Sequence, residues 1–263
     1  MEMMKEYIGK GWEQLLRSNN LGDFDSIWNL EAGWFEEPNE RRGGWSGVSR
    51  IELKTEDGQS VGMFLKRQEN HNTKTITSPI KGIPTFAREF KNIIRFINND
   101  IPTVEPVYFC YRFSNGNYQA ILMTKELEGF DSLDADDYLR DGAIMQDKVQ
   151  REKIMTSVAN AMRKMHDSHL RHSCFYSKHV FIRQSGENWD VKFIDLEKMH
   201  WELFKYYARF GDLYTFPRRI SGWGRKDRVR FFQIYTQEKK LSAKSKLLWR
   251  KIDSRMKVKG VEL

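Results

Sequence analysis

Hydrophobic and polar positions change period along this chain, and the change divides it. Between Gly43 and Leu127 short alternating or continuous apolar runs are punctuated by turn residues. This predicts strands over 43–53, 61–66, 101–113 and 118–127, with Glu56-Asp-Gly-Gln59 and Ser114-Asn-Gly-Asn117 as turns. Within that region Phe86–Ile97 is different, with apolar residues at 86, 90, 93, 94 and 97, the face of a helix. These four strands read as most of a five-stranded antiparallel sheet carrying one helix. From Lys148 onward helical spacing dominates. Val149, Ile154, Val158, Ala161, Met162 and Met165 mark a long buried helix over 148–167, and 209–216, 227–235 and 243–252 read as further helices. Two small strands, Val180–Arg183 and Val191–Leu196, interrupt this half. At the start of the chain, Tyr7–Leu16 has helical spacing and Asn19-Asn-Leu-Gly22 stops it. Trp28, Trp34 and Trp45 punctuate an irregular segment and read as packing aromatics. The expectation is an α+β chain in three parts: a helical extension over 1–34, a small lobe over 35–127 and a large, mainly helical lobe over 128–263. No internal repeat or low-complexity linker separates them.

Composition narrows the class. A hydrophobic fraction of 40% with 13% aromatic residues excludes a disordered chain, and no apolar run approaches the roughly 20 residues that span a bilayer. The opening MEMMKEYIGKGW lacks the apolar core and cleavage site of a secretory signal, so a cytoplasmic location is expected. Cys110 and Cys174 are too few for a disulfide framework or a thiolate zinc site, and both read as reduced. The formal charge of +8 favours anionic partners, namely nucleotides and anionic sugar or lipid head groups. Much of it lies in Arg218–Arg230 and Lys239–Lys257. That stretch reads as a solvated basic face, or alternatively as a peripheral contact with the anionic inner face of the inner membrane. No nucleic-acid-binding motif accompanies the charge.

The candidate chemistry centres on Met165–Glu197. Asp195 lies near the carboxyl end of an apolar strand, and upstream a short loop runs from His172 to His179. A helix, a polar loop, a strand pair and an Asp on the second strand is the order of a kinase catalytic loop and metal-binding Asp. His172–Ile182 with Phe193-Ile-Asp-Leu-Glu197 resembles the lipopolysaccharide core kinase (Kdo/WaaP) family, whose loop reads roughly H-R-D-x-Y-x-x-H. His172, Tyr176, His179 and Asp195 match that pattern; Ser173 stands at its Arg and Cys174 at its catalytic Asp. Upstream, Glu37–Val48 resembles the InaA-like subgroup, and the similarity covers roughly Phe35 to Tyr235.

The resemblance implies a bilobal protein-kinase-like fold with a nucleotide-binding small lobe, using ATP with Mg²⁺ or Mn²⁺ to phosphorylate a sugar hydroxyl, in lipopolysaccharide core for example. It implies that Lys66, ending an apolar strand, holds phosphates and pairs with Glu89 on the 86–97 helix. Gly44 and Gly47 in the glycine-rich turn cover the nucleotide or simply make a hairpin. The backbone at Thr124–Glu126 faces the adenine. Asp195 and His179 hold the metal, or His179 binds phosphate, and Glu197 is a further carboxylate within reach. Asp212 braces the loop backbone. Cys174 leaves alternatives open. His172 or Asp195 orients the acceptor; or the chain is a pseudokinase that binds nucleotide or a partner protein without catalysis; or Cys174 is itself a nucleophile beside a histidine.

Overall fold

The computed structural model describes residues 6–41, 43–75, 78–138, 142–220 and 223–258. The first five residues of the segment read for a signal lie outside them. Residue contacts divide the chain into two units, Met1–Ile94 with Val104–Glu128 and Arg95–Thr103 with Gly129–Leu263.

The first unit is built on an antiparallel sheet of six strands. In chain order these are β1 (Tyr7–Ile8), β2 (Trp34–Arg41), β3 (Gly44–Lys54), β4 (Ser60–Glu69), then, after a separate hairpin of β5 (Asn72–Thr75) and β6 (Ser78–Pro84), β7 (Pro106–Ser114) and β8 (Asn117–Lys125). Their order across the sheet is β1-β7-β8-β4-β3-β2. Two of these strands depart from the expected five-stranded reading. Tyr7 and Ile8 pair with Phe109 and Tyr108, so the helix expected over 7–16 begins only at Glu13, as α1 (Glu13–Ser18). Gly9 and Gly11 explain the delay. Gly11 has φ +88°, and a Cβ on Gly9 would sit 2.6 Å from the Pro106 carbonyl. The segment at Trp34, expected to be irregular, is an edge strand, exposed throughout and bulged between Trp34 and Asn39. It carries Pro38 and no alternation, which hides it from periodicity.

α1 and α2 (Phe24–Trp28), the latter capped by Asp23 accepting from the Ser26 N–H at 2.8 Å, pack on one face of the sheet. Leu16, Ile27, Met63, Leu65, Val107, Ile121 and Met123 are buried together there. Each such side chain contributes about 1.5–3 kcal/mol on burial. On α3 (Thr85–Asn98) the buried positions include Phe86, Glu89, Ile93 and Phe96 along with Thr85, Ala87 and Asn92, while Ile97, expected on that face, is exposed. The buried stripe therefore carries a carboxylate, which needs a cationic partner.

In the second unit β9 (Asp131–Ser132) joins β11 (Val180–Ser185) and β12 (Asn188–Phe193) in the order β12-β11-β9. α4 (Ala143–Gln146) precedes α5 (Lys148–Asp167), whose first turn is capped by Asp147 accepting from the N–H groups of Val149 and Gln150. α5 buries Ile154, Val158, Ala161, Met162 and Met165 as its spacing predicts, and Met155 besides, although Val149 is exposed. A short pair, β10 (Leu170–Arg171) with β13 (His200–Trp201), brackets the loop and the Asp195 segment. α6 (Lys205–Arg219), α7 (Arg225–Thr236) and α8 (Ala243–Val258) complete the unit. Among the described residues no helix is long and apolar enough to cross a membrane.

Candidate nucleotide and metal site

In the first unit Lys66 lies on β4 between Val48 of β3 and Leu122 of β8. Its Nζ donates to Glu89 Oε1 at 2.7 Å and lies 5.9 Å from the centre of the Phe86 ring. The Glu89 side chain is only 6% exposed, and this pairing offsets part of the cost of burying its charge. The glycines have local reasons. Gly44 closes the β2–β3 hairpin, where a Cβ would strike the backbone of Glu69 and Asn70; Gly47 is within β3, and the Trp34 ring lies 2.7 Å from where its Cβ would be. Thr124 is buried in β8. The N–H groups of Lys125 and Glu126 donate to Glu105 and Gly62 at 2.9 Å, and the Glu126 carboxylate accepts from both Nε and Nη2 of Arg50. Gly62 makes room for that clamp, since a Cβ there would overlap the carboxylate.

In the second unit a buried carboxylate shapes the loop. Asp212 of α6 is fully buried and accepts from the backbone N–H of His172 at 2.7 Å and of Ser173 at 3.0 Å, with His166 Nε2 at 3.2 Å. Burial acts to raise its pKa, but the hydrogen bond and charge of His166 and the backbone donor at His172 outweigh burial and hold it below the usual carboxylate range. These bonds support Ser173 at φ +69°, uncommon for a residue with a Cβ. His166 in turn is held by Tyr235 Oη at 2.9 Å.

His172 is completely buried, its Nε2 donating to the Ile194 carbonyl at 3.0 Å. Burial lowers its pKa, so it is neutral, with an unpartnered Nδ1. It holds the loop against the Asp195 segment. Cys174 is 8% exposed, and burial pushes its thiol up despite the opposing charge of Lys198. A thiol so raised is neither the base nor the nucleophile that a thiolate would be. Its carbonyl, however, accepts from His179 Nδ1 at 2.8 Å.

That bond decides the chemistry of His179. With Nδ1–H committed to a carbonyl, the neutral ring carries its lone pair on Nε2, and Nε2 lies 3.3 Å from Asp195 Oδ2. In its neutral form the ring sets that lone pair against the carboxylate, an arrangement that a proton or a cation satisfies. Asp195 is in the left-handed region at φ +57°, two residues beyond the end of β12, and its side chain is 42% exposed. The half-buried Glu197 follows in the next turn. Among the described residues no group of three His, Cys, Asp or Glu side chains converges on one point. An ion held by Asp195 and His179 would complete its shell with water and phosphate oxygens, as Mg²⁺ usually does.

Sequence reasoning missed the outer support. His166 and Tyr235 sit on apolar helix faces, where they read as packing. It missed equally that Ser173 Oγ is 3.1 Å from His200 Nδ1, whose Nε2 lies 3.0 Å from Glu202 Oε1. The resemblance implied the contact of Asp212 with the loop backbone, whereas its contact with His166 appears only in three dimensions.

Residues 25–235 match the lipopolysaccharide kinase (Kdo/WaaP) family. The protein InaA of Escherichia coli (strain K12) is 32% identical over 182 residues, which are 69% of this chain and 80% of that protein. A solved structure of WaaP in complex with acyl carrier protein superposes with a TM-score of 0.67, covering 97% of this chain and 98% of that one at 18% identity. The fold is therefore protein-kinase-like, as the loop pattern implied. With the family matched over most of its length and a homologue in InaA, this chain belongs to the Kdo/WaaP lipopolysaccharide kinase family.

Proposed function

We propose that this protein binds ATP with Mg²⁺ or Mn²⁺ and transfers the γ-phosphoryl group to a sugar hydroxyl of lipopolysaccharide core. The observation that carries the reading is the His179–Asp195 pair, whose facing lone pairs suit a divalent cation. Such a cation supplies neutralisation of phosphate charge when bound. The imidazole favours Mn²⁺ over Mg²⁺. Lys66, held by Glu89, supplies a fixed positive charge for phosphate oxygens, and the Gly44 turn lies in the same unit.

Of the two groups weighed for orienting the acceptor hydroxyl, His172 is buried and engaged with Ile194, so the role falls to Asp195. A loose phosphoryl-transfer transition state makes modest demands on a base. The net charge suits an acidic acceptor or head group. Because the WaaP structure holds an acyl carrier protein, purified acyl carrier protein is the first protein partner to assay.

The second reading is nucleotide binding without turnover, which the buried, protonated Cys174 favours. One experiment separates them. Transfer of radiolabelled phosphate from ATP to purified lipopolysaccharide, abolished by Asp195→Asn, supports the kinase. Binding of ATP with metal but no transfer by the wild-type chain, and transfer gained by Cys174→Asp, supports the second reading.

A further inference from the structure

Beyond the loop, the run Trp201–Tyr207 brings a dense set of large apolar side chains to the surface. Trp201 is 54% exposed, Leu203 62%, Phe204 61%, Tyr206 42% and Tyr207 54%. Single exposed apolar residues are ordinary; five within seven consecutive positions are not. Nothing in the site chemistry uses them.

The helix beside them determines what they suit. α8 packs on α6 with Lys251 Nζ 5.6 Å from the centre of the Tyr206 ring and Arg255 5.4 Å from that of Phe210. Leu247, one turn before Lys251 and on the same face, is itself 55% exposed. α8 carries six basic residues and a single acid, Asp253, which is paired with Lys257 at 3.0 Å. In the apolar run the one acid is Glu202, engaged by Arg171 and His200. The surface thus combines Trp, Tyr, Phe and Leu with an adjoining excess of positive charge. A water-exposed surface of that composition matches an anionic lipid interface, where aromatic rings sit at head-group depth and lysine stems lie along apolar surface with their ammonium groups at phosphate level.

We propose that Trp201–Tyr207, together with Leu247 and Lys251 of α8, is a docking surface for an anionic lipid bilayer. Charge complementarity selects this occupant over a neutral apolar partner. Docking uses neither Asp195 nor Lys66, so it stands or falls independently of phosphoryl transfer.

The test is co-sedimentation of the full-length chain with phosphatidylglycerol vesicles and, separately, phosphatidylcholine vesicles. The wild-type chain and Asp195→Asn should both pellet with phosphatidylglycerol, weakly with phosphatidylcholine, and less at high salt. Leu203→Ser and Phe204→Ser should each weaken partition about tenfold, and Lys244→Gln with Lys251→Gln about 30-fold together. Lys10→Gln with Lys91→Gln in the other unit should do much less. All six positions are exposed, so folding, checked by circular dichroism, is retained. Equal pelleting by the patch variants, or no pelleting of the wild-type chain, overturns the proposal. So does sedimentation velocity showing that Leu203→Ser turns a dimer into a monomer while vesicle binding is unchanged, since the surface then joins two copies.

Discussion

Replacing Asp212 by Asn changes one oxygen into an amide nitrogen at a fully buried position. The carboxylate accepts from His172 N–H at 2.7 Å, Ser173 N–H at 3.0 Å and His166 Nε2 at 3.2 Å. An asparagine keeps one acceptor and turns a donor toward a second N–H. At least one charge-assisted bond disappears, costing about 1.5–3 kcal/mol, and a buried amide loses its partner, costing about 1–3 kcal/mol more. The expected destabilisation is therefore about 3–5 kcal/mol, or roughly 10 °C in Tm for a chain of this size. Thermal and urea unfolding measure the total. Hydrogen exchange at the amides of His172 and Ser173 locates it, and both should lose protection before the amides of α6. The carboxylate also sets a pH dependence. Its folded pKa is below the unfolded value of about 3.9, so its stabilisation is complete above that pH and is lost as pH falls through the folded pKa. Asp212→Asn should abolish that acid limb. A loss below about 1 kcal/mol with both amides still protected would show that the loop stands without Asp212, and the reasoning would fail.

Other consequences can be measured as simply. His172 has a pKa lowered by burial, so below the unfolded value of about 6.5 the unfolded chain takes up a proton that the folded chain refuses; Tm should fall from pH 6.5 toward 5 more steeply in the wild-type chain than in His172→Gln. Lys66→Met leaves the buried Glu89 without its 2.7 Å partner and should cost about 2 kcal/mol by urea unfolding. Adding Glu89→Gln should restore most of that stability while nucleotide affinity remains lost, and a Lys66→Met chain as stable as the wild type contradicts the pairing. Cys174→Asp should raise the transfer rate by one to several orders of magnitude, on the scale of about 10²–10⁴ typical of a positioned base; an unchanged rate would show that position 174 does not touch the acceptor.

Much of the architecture is legible in the pattern because the residues concerned follow their periods. Ile154, Val158, Met162 and Met165 announce α5, and the alternation at Ile51 and Leu53 announces β3. β2 fails the same test because every residue from Trp34 to Arg41 is exposed and an edge strand has no apolar side to display. α1 was placed too early because Tyr7 and Ile8 fit a helical spacing as well as a strand, while Gly9 lies against the backbone of the distant Pro106 and Gly11 takes φ +88°. On α3, Ile97 fits the apolar spacing, yet Phe96 is buried in its place on the stripe that carries Glu89. Of the candidate residues chosen by type and order, Lys66 pairs with Glu89 in the first unit and His179 lies against Asp195 in the second. The tautomer of His179 was not legible, because it depends on the carbonyl of Cys174 rather than on any side chain. His172 read as a catalytic group and proves to be a buried tie to Ile194, a distinction made by burial alone.

The central claim is that His179 and Asp195 hold a cation with the nucleotide. Thermal unfolding of the wild-type chain and of Asp195→Asn, each with ATP alone, Mn²⁺ alone, Mg²⁺ alone and the combinations, tests it most directly. At about 100 times its Kd a ligand adds about 2.7 kcal/mol, roughly 5–10 °C here, and a shift of that order is expected for the wild-type chain only when ATP and metal are present together, larger with Mn²⁺, and lost in Asp195→Asn. No shift in the wild-type chain at millimolar ATP, or an equal shift in Asp195→Asn, would contradict it.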